Sequence, residues 1–215
     1  MLVITDNEKQ EAPASAVETQ LLAKRIMVEI NIKLSSGERH QELLDFMFES
    51  LDLVIPYDRI GIALVEGTGD QAQLRVKWVR SKVPATHITL NYSAPVLGSS
   101  LQKILETGQP RIINDLIEYS ADHPKSLSTK LIIEDGIRSS LTCPLRSENR
   151  RIGVVFFSSC KPNTYRNEHV ETFLEIADEL SVIIDHGRLR DEFDAYAAQT
   201  QNVKMILEGW AKNPV

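Results

Sequence analysis

Gly136-Ile137-Arg138-Ser139-Ser140-Leu141-Thr142-Cys143-Pro144-Leu145, the polar turn Ser147-Glu148-Asn149-Arg150, and the return run Arg151-Ile152-Gly153-Val154-Val155-Phe156-Phe157-Ser158-Ser159 decide the fold. Two β-rich runs joined by a short polar turn form a hairpin. In the first run Leu141, Cys143 and Leu145 make an apolar face, and Ser140, Thr142 and Pro144 make a smaller, partly polar one. The second run is apolar on both faces: Ile152, Val154 and Phe156 against Gly153, Val155 and Phe157. Such a strand lies inside a sheet that is covered on both sides, or covered on one side and lined by a pocket on the other.

Before the hairpin, residues 1–14 are polar, contain Pro13 and are expected to be loose. From Ala16 to Leu34 the apolar residues recur at helical spacing, and Leu44, Met47, Leu51 and Val54 predict a second amphipathic helix ending before Pro56. Arg59 to Val65 reads as a strand whose large residues, Ile60, Ile62 and Leu64, meet helices, while Gly61, Ala63 and Val65 leave room on the other side. Gly67-Thr68-Gly69-Asp70 turns the chain into a second strand, Ala72 to Arg80, with Leu74, Val76 and Trp78 expected on one face. A third strand is expected at His87 to Tyr92. Ser99 or Ser100 is expected to cap a short helix closed by Gly108, and Arg111-Ile112-Ile113 reads as a short strand. Residues 116–125 read as loop, and Leu127 to Asp135 as a helix closed by Gly136.

After the hairpin the chain turns helical near Asn167 and stays so to Trp210. The distal half carries Leu189, Phe193, Tyr196, Thr200, Val203, Leu207 and Trp210, alternating steps of four and three that define a coiled-coil seam. Strands interleaved with short helices and flanked by long ones give an α+β sheet with helices on one face.

The bulk composition narrows the function. A chain of 215 residues accommodates one sizeable domain with appendages. A net charge of −6 argues against nucleic-acid binding. No apolar run approaches the ~20 residues that span a bilayer, and the N-terminus is too acidic for a signal peptide. The chain reads as cytoplasmic with no membrane partner, although a soluble fragment of a membrane-bound receptor would look the same.

Several stretches resemble the GAF domain in wording and in order across residues 18–188. They are Tyr57-Asp58-Arg59-Ile60-Gly61-Ile62-Ala63-Leu64, Gly98-Ser99-Ser100-Leu101, Gly108-Gln109-Pro110 with Asn114-Asp115-Leu116, Gly136-Ile137-Arg138-Ser139, and Pro144-Leu145 followed by Ile152-Gly153-Val154-Val155 and Pro162-Asn163-Thr164-Tyr165. The resemblance is to GAF modules of bacterial signalling proteins. It implies a six-stranded antiparallel sheet, with N- and C-terminal helices packed on one face and short helices and loops over a small-molecule pocket on the other. It also implies a GAF-like unit over residues 15–188 and a signalling helix over 189–215. The expected partners are a second copy in a parallel homodimer, a small ligand, and an output domain (histidine kinase, cyclase or phosphatase) in cis or in trans.

Candidate chemistry is sparse. The expected pocket wall is Trp78, Tyr92, Tyr119, Ser140, Thr142 and Phe157, with Asn114 and Asp115 either at the rim or serving as turn and capping residues. The expected dimer contacts are Leu21, Val28, Leu189, Phe193, Tyr196, Val203, Leu207 and Trp210. Cys143 alternates with Leu141 and Leu145 and so reads as core; Cys160 reads as inert. Bilin-binding relatives carry their cysteine in the segment before the hairpin, where this chain has none, and sulfoxide-reducing relatives need more cysteines than the two present. His87, His123, His169 and His186 do not form a metal-ligand set. No catalytic or metal residue is assigned and the cofactor is unknown. The reading is a non-catalytic sensory module, with a purely structural dimeriser or a cysteine-based redox enzyme as alternatives.

Overall fold

A computed structural model describes residues 16–84, 87–147, 150–167 and 170–212. The expectation for residues 1–14 and the placement of His169 fall outside that set. The chain runs α1 (Ala16–Ser35), α2 (His40–Ser50), β1 (Arg59–Glu66), β2 (Gln73–Ser81), β3 (Ser93–Pro95), α3 (Gln102–Thr107), β4 (Arg111–Ile113), α4 (Leu116–Asp122), α5 (Leu127–Glu134), β5 (Ser139–Ser147), β6 (Arg150–Ser159) and α6 (Val170–Lys212). The strands form one six-stranded sheet in the order β3-β2-β1-β6-β5-β4, and every neighbouring pair is antiparallel. First and last long strands meet at the centre of the sheet, so the fold closes only when the hairpin at the chain's far end arrives.

The hairpin pairs as its alternation predicts, Leu141 opposite Phe157 and Cys143 opposite Val155. These four side chains are fully buried in one core with Ile60, Ile62 and Leu145 of the sheet, Ile26 and Ile30 of α1, Leu43 and Met47 of α2, and Phe173, Ile176 and Ile183 of α6. The large residues of β1 therefore face the helices, as expected. Ala63, Val154 and Val76 lie in a second cluster on the opposite face, beside Phe156, Tyr92 and Ile104.

Close approach of β1 and β6 depends on Gly153. A Cβ at that position would fall 2.2 Å from the Ala63 carbonyl oxygen and 2.9 Å from Leu64 Cδ2, far inside van der Waals contact. Gly187 does the same for the helices: a Cβ there would sit 2.7 Å from His40 Cγ, where α6 crosses the start of α2. A register shift at Leu145/Arg146 frees the Arg146 N–H, which donates to Ser181 Oγ on α6 at 2.9 Å.

Four local readings need correction. Leu74, Val76 and Trp78 do not share a face. The β1–β2 register shifts between Ile62 and Ala63, so that Ile62 pairs with Trp78 and Ala63 with Val76, leaving Lys77 as the extra residue. Such a bulge reverses the alternation beyond it, and Trp78 turns to the helix face, where its Nε1–H donates to Asp45 Oδ1 at 3.2 Å. The third strand lies at Ser93–Pro95 rather than at His87 to Tyr92. Residues 116–122, expected as loop, form α4, because Asp115 supplies a cap by accepting from the Ile117 N–H at 2.9 Å. The N-cap of α3 is Leu101 without a side-chain cap bond, not a serine. The C-terminal carbonyls of α3 are satisfied instead by arginines from the hairpin, Arg146 to Gly108 at 2.8 Å and Arg151 to Leu105 at 2.7 Å.

Candidate ligand face and helical interface

The sheet face turned away from the long helices carries a short polar track. Antiparallel pairing sets Arg111 beside Thr142 and Ile113 beside Ser140. Thr142 pairs onward with Phe156. Residues paired across a ladder share a face, so Arg111, Thr142, Ser140 and Phe156 lie on one side, while Ile112 and Leu141 point to the helix core. Ser140 and Thr142 are buried. Among the described residues neither hydroxyl has a side-chain hydrogen bond to protein. Helix α4 brings Tyr119 over this track, its ring 5.6 Å from the Arg111 guanidinium carbon. From the other side, the segment before α3 presents the Ser100 carbonyl, which accepts from Arg111 Nη1 at 3.2 Å. Tyr92 closes the neighbouring stretch through a 2.8 Å hydrogen bond between its hydroxyl and Ser128 Oγ, linking the β2–β3 connection to α5.

Five of the residues expected at a pocket lie on or beside this face, and their surroundings differ. Ser140, Thr142 and Tyr119 converge on the face, and Tyr92 borders it. Asp115 lies at its edge and is occupied by local structure: besides capping α4 it pairs with Arg138 at 2.6 Å. The hydrogen bond from Arg138 holds this carboxyl below its usual range. Asn114 is exposed and offers its carbonyl to the Asn163 N–H at 2.8 Å. Trp78 and Phe157 are not on this face. Trp78 was turned by the bulge. Phe157 is fully buried on the helix side, 5.2 Å centroid to centroid from Phe173, because it follows the parity of Leu141 and Cys143.

Arg111 was not among the expected residues, although a charged residue inside a three-residue strand between Pro110 and Ile112 was a visible signal. Further along the same face, where Arg59 pairs with Ser158 and Ser158 with Ser140, lies a buried ion pair, Arg59 to Asp135 at 3.2 Å, and Asp135 also holds His87 through Nδ1 at 2.8 Å. That network ties the start of β1, the β2–β3 connection and the end of α5 together. It places His87 in a structural role. His123 packs flat on Tyr119, centroids 4.0 Å apart. A shallow depression of about 540 Å³ between α4 and α5, lined by Ile117, Ala121, Pro124, Lys130 and Ile133, contains none of the expected pocket residues.

Both cysteine thiols are held above their ordinary value. Burial pushes the Cys143 thiol up to about 12, with Asp178 adding to the shift. Burial also raises Cys160, whose backbone N–H is held by Asp58 at 2.7 Å. Reactive cysteines have the opposite, depressed value. No group of three or more His, Cys, Asp or Glu side chains able to hold a metal ion occurs among the described residues.

A second feature lies on the helices. Leu21, Val28 and Ile32 of α1 and Val182, Leu189, Phe193, Tyr196 and Val203 of α6 are each more than half exposed. α6 runs 43 residues, about 65 Å at 1.5 Å per residue, well beyond the sheet it packs on. The backbone of Leu207 and Trp210 continues this helix, and their side chains lie outside the described residues. No helix among the described residues is long and apolar enough to cross a membrane.

Residues 38–185 match the GAF domain family, more than half of the chain, and the protein belongs to that family of sensory small-molecule-binding modules. No curated protein sequence matches significantly. Among solved structures the chain is similar to a free methionine-R-sulfoxide reductase from Neisseria meningitidis in complex with its substrate (17% identity, 84% of this chain and 96% of that one, TM-score 0.60). It is also similar to the GAF domain of a two-component sensor histidine kinase from Bacillus halodurans (18% identity, 70% and 97%, TM-score 0.57). A third is the phycoerythrobilin-bound GAF domain of a cyanobacterial phytochrome (14% identity, 80% and 99%, TM-score 0.62). At these identities the likeness establishes the fold and nothing finer.

Proposed function

We propose that this chain is a non-catalytic sensory module of bacterial cytoplasmic signalling. It binds a small molecule on the Ser140–Thr142 face beneath α3, α4 and α5, and relays occupancy through a parallel homodimer built on α1 and α6. Residues 15–188 form the sensor and 189–215 the signalling helix, which hands the signal to an output domain in cis or in trans. Histidine kinases, cyclases and phosphatases are the outputs whose geometry a coiled coil controls.

The observation that carries this reading is the exposed apolar stripe of α6. Leu189, Phe193, Tyr196 and Val203 are spaced for a coiled-coil seam, and Phe193 and Tyr196 are each 71% exposed. A stripe of that size on a helix that has left its own core needs a partner, and a second copy supplies a matching stripe in register. The elevated Cys143 thiol favours the non-catalytic reading over a cysteine-based redox enzyme. One observation favours the purely structural dimeriser: Ser140 and Thr142 are buried, so α3 and α4 lie closed over the track.

Light scattering on the purified chain is the test. A dimer mass is expected, falling to a monomer in Phe193→Glu/Tyr196→Glu with an unchanged fold by circular dichroism. A strictly monomeric wild type at the highest soluble concentration sinks the relay.

A further inference from the structure

Arg111 is a cation with no counter-charge among the described residues. Among the described residues its guanidinium donates to the Ser100 carbonyl at 3.2 Å and, at a long 3.5 Å, to the Tyr119 hydroxyl, and it lies over the Tyr119 ring. Its Nε is buried and has no hydrogen-bond partner. Among the described residues no carboxylate lies within ion-pair distance of it. The buried cation Arg59 is paired with Asp135, and even the partly exposed Arg138 is paired with Asp115. A buried donor left without a hydrogen bond is costly, more so on a charged group, and a guanidinium withdrawn from water asks for an anion. The group's own acidity reflects this, since burial pulls it below the usual guanidinium range.

The surroundings are those of a receiving site. Thr142 is the cross-strand neighbour of Arg111, and Ser140, paired with Ile113, follows on the same face, so the strand that carries the cation is flanked by two hydroxyl-bearing positions. Tyr119 adds a third hydroxyl from above, and Phe156 and Ile113 supply apolar wall. Hydroxyl and guanidinium donors converging in an apolar setting match the hydrogen-bonding needs of a carboxylate or phosphate group.

We propose that the ligand of this face is a small organic anion, with its carboxylate or phosphate group seated on the Arg111 guanidinium and its body against Phe156 and Tyr119. This rests on the sensory reading above. It also names how the ligand acts: the anion draws Arg111 from the Ser100 carbonyl, and so loosens the tie between β4 and the segment entering α3.

The test is a thermal-shift and calorimetric comparison on the full chain, with charged probes set against neutral twins. Inorganic phosphate, glycerol 3-phosphate against glycerol, and succinate against succinamide separate phosphate from carboxylate sources; a broad screen of neutral metabolites runs alongside. At least one anion is expected to raise the melting temperature where its neutral twin does not. R111Q is expected to lose that binding tenfold or more, and R111K, which keeps the charge but not the planar fork, to lose less. The ligand-free R111Q protein is expected to melt at or above the wild-type temperature, because an uncompensated charge has gone. A neutral ligand bound equally by wild type and R111Q overturns the anion assignment and leaves the sensor standing. Failure of every probe and every screened compound overturns both. A ligand-free R111Q melting well below wild type identifies Arg111 as a structural strut and also overturns the assignment; R111K carries the same comparison if R111Q does not fold.

Discussion

Strand β5 presents two environments from alternate residues. Leu141, Cys143 and Leu145 are sealed beneath α1, α2 and α6 with no solvent contact. Ser140 and Thr142 face the other way, toward Arg111, Tyr119 and the short helices. The helix side has the density and chemistry of a folding core, where each side chain's worth is its buried area. The opposite side keeps hydroxyls and a cation that contribute little to stability as they stand. A strand that needed only to be stable would have been apolar on both faces, as β6 is. It is on this polar face of β5 that the proposed function places recognition.

Substitutions on adjacent strands put this contrast to the test. Phe157→Ala removes a fully buried ring that meets Phe173 and Tyr57, and a loss of about 3–5 kcal/mol is expected; urea unfolding that shows under ~1 kcal/mol would break the distinction between the faces. Gly153→Ala forces a methyl onto the Ala63 carbonyl and should cost about 2–3 kcal/mol, the upper end of ordinary overpacking, read as a lower urea midpoint at unchanged slope.

The acid–base behaviour of the helix side gives a third check. Burial raises Cys143 to about 12 and also raises Tyr57 and Tyr165. A raised value means that the fold favours the protonated form. Its contribution is complete below the ordinary thiol value of 9.0 and is lost as pH climbs toward the folded value. Stability should thus decline above about pH 9 through Cys143 and above about pH 10 through the tyrosines as well, by about 1.4 kcal/mol per pH unit for each group. Cys143→Ala should remove the earliest part of that slope, and a slope unchanged in the variant would mean that the thiol titrates freely. The smallest effect is expected at Thr142→Val, nearly equal in shape and on the recognition side. Stability should move by less than about 0.5 kcal/mol, because the hydroxyl gives up no protein hydrogen bond, while anion binding weakens.

Much of the fold was legible because periodicity reports burial. The alternation in β1, β5 and β6 assigned the helix-facing side chains correctly, and the heptad-like steps after Leu189 fall on a helix that leaves Phe193, Tyr196 and Val203 exposed. The candidate site was read less well. Ser140, Thr142, Tyr119 and Tyr92 came from the same alternation and the family resemblance. Trp78 was lost to a bulge: nothing local in Gln73-Leu74-Arg75-Val76-Lys77-Trp78 says that Lys77 is extra, since the insertion exists only relative to the β1 register. Helix α4 was read as loop because its stop and start signals crowd a seven-residue span, too short for a period to show.

By itself, then, the sequence determined the family, the α+β order, the helix-facing core and the long terminal helix, all consequences of residue spacing along a single chain. Tertiary structure decided what depends on two chain segments meeting: the parity change at Lys77, the pairing of Arg111 with Thr142, and the lack of an acid beside that guanidinium among the described residues. A side chain's partner is set by register and crossing geometry, and neither is written into its own neighbourhood.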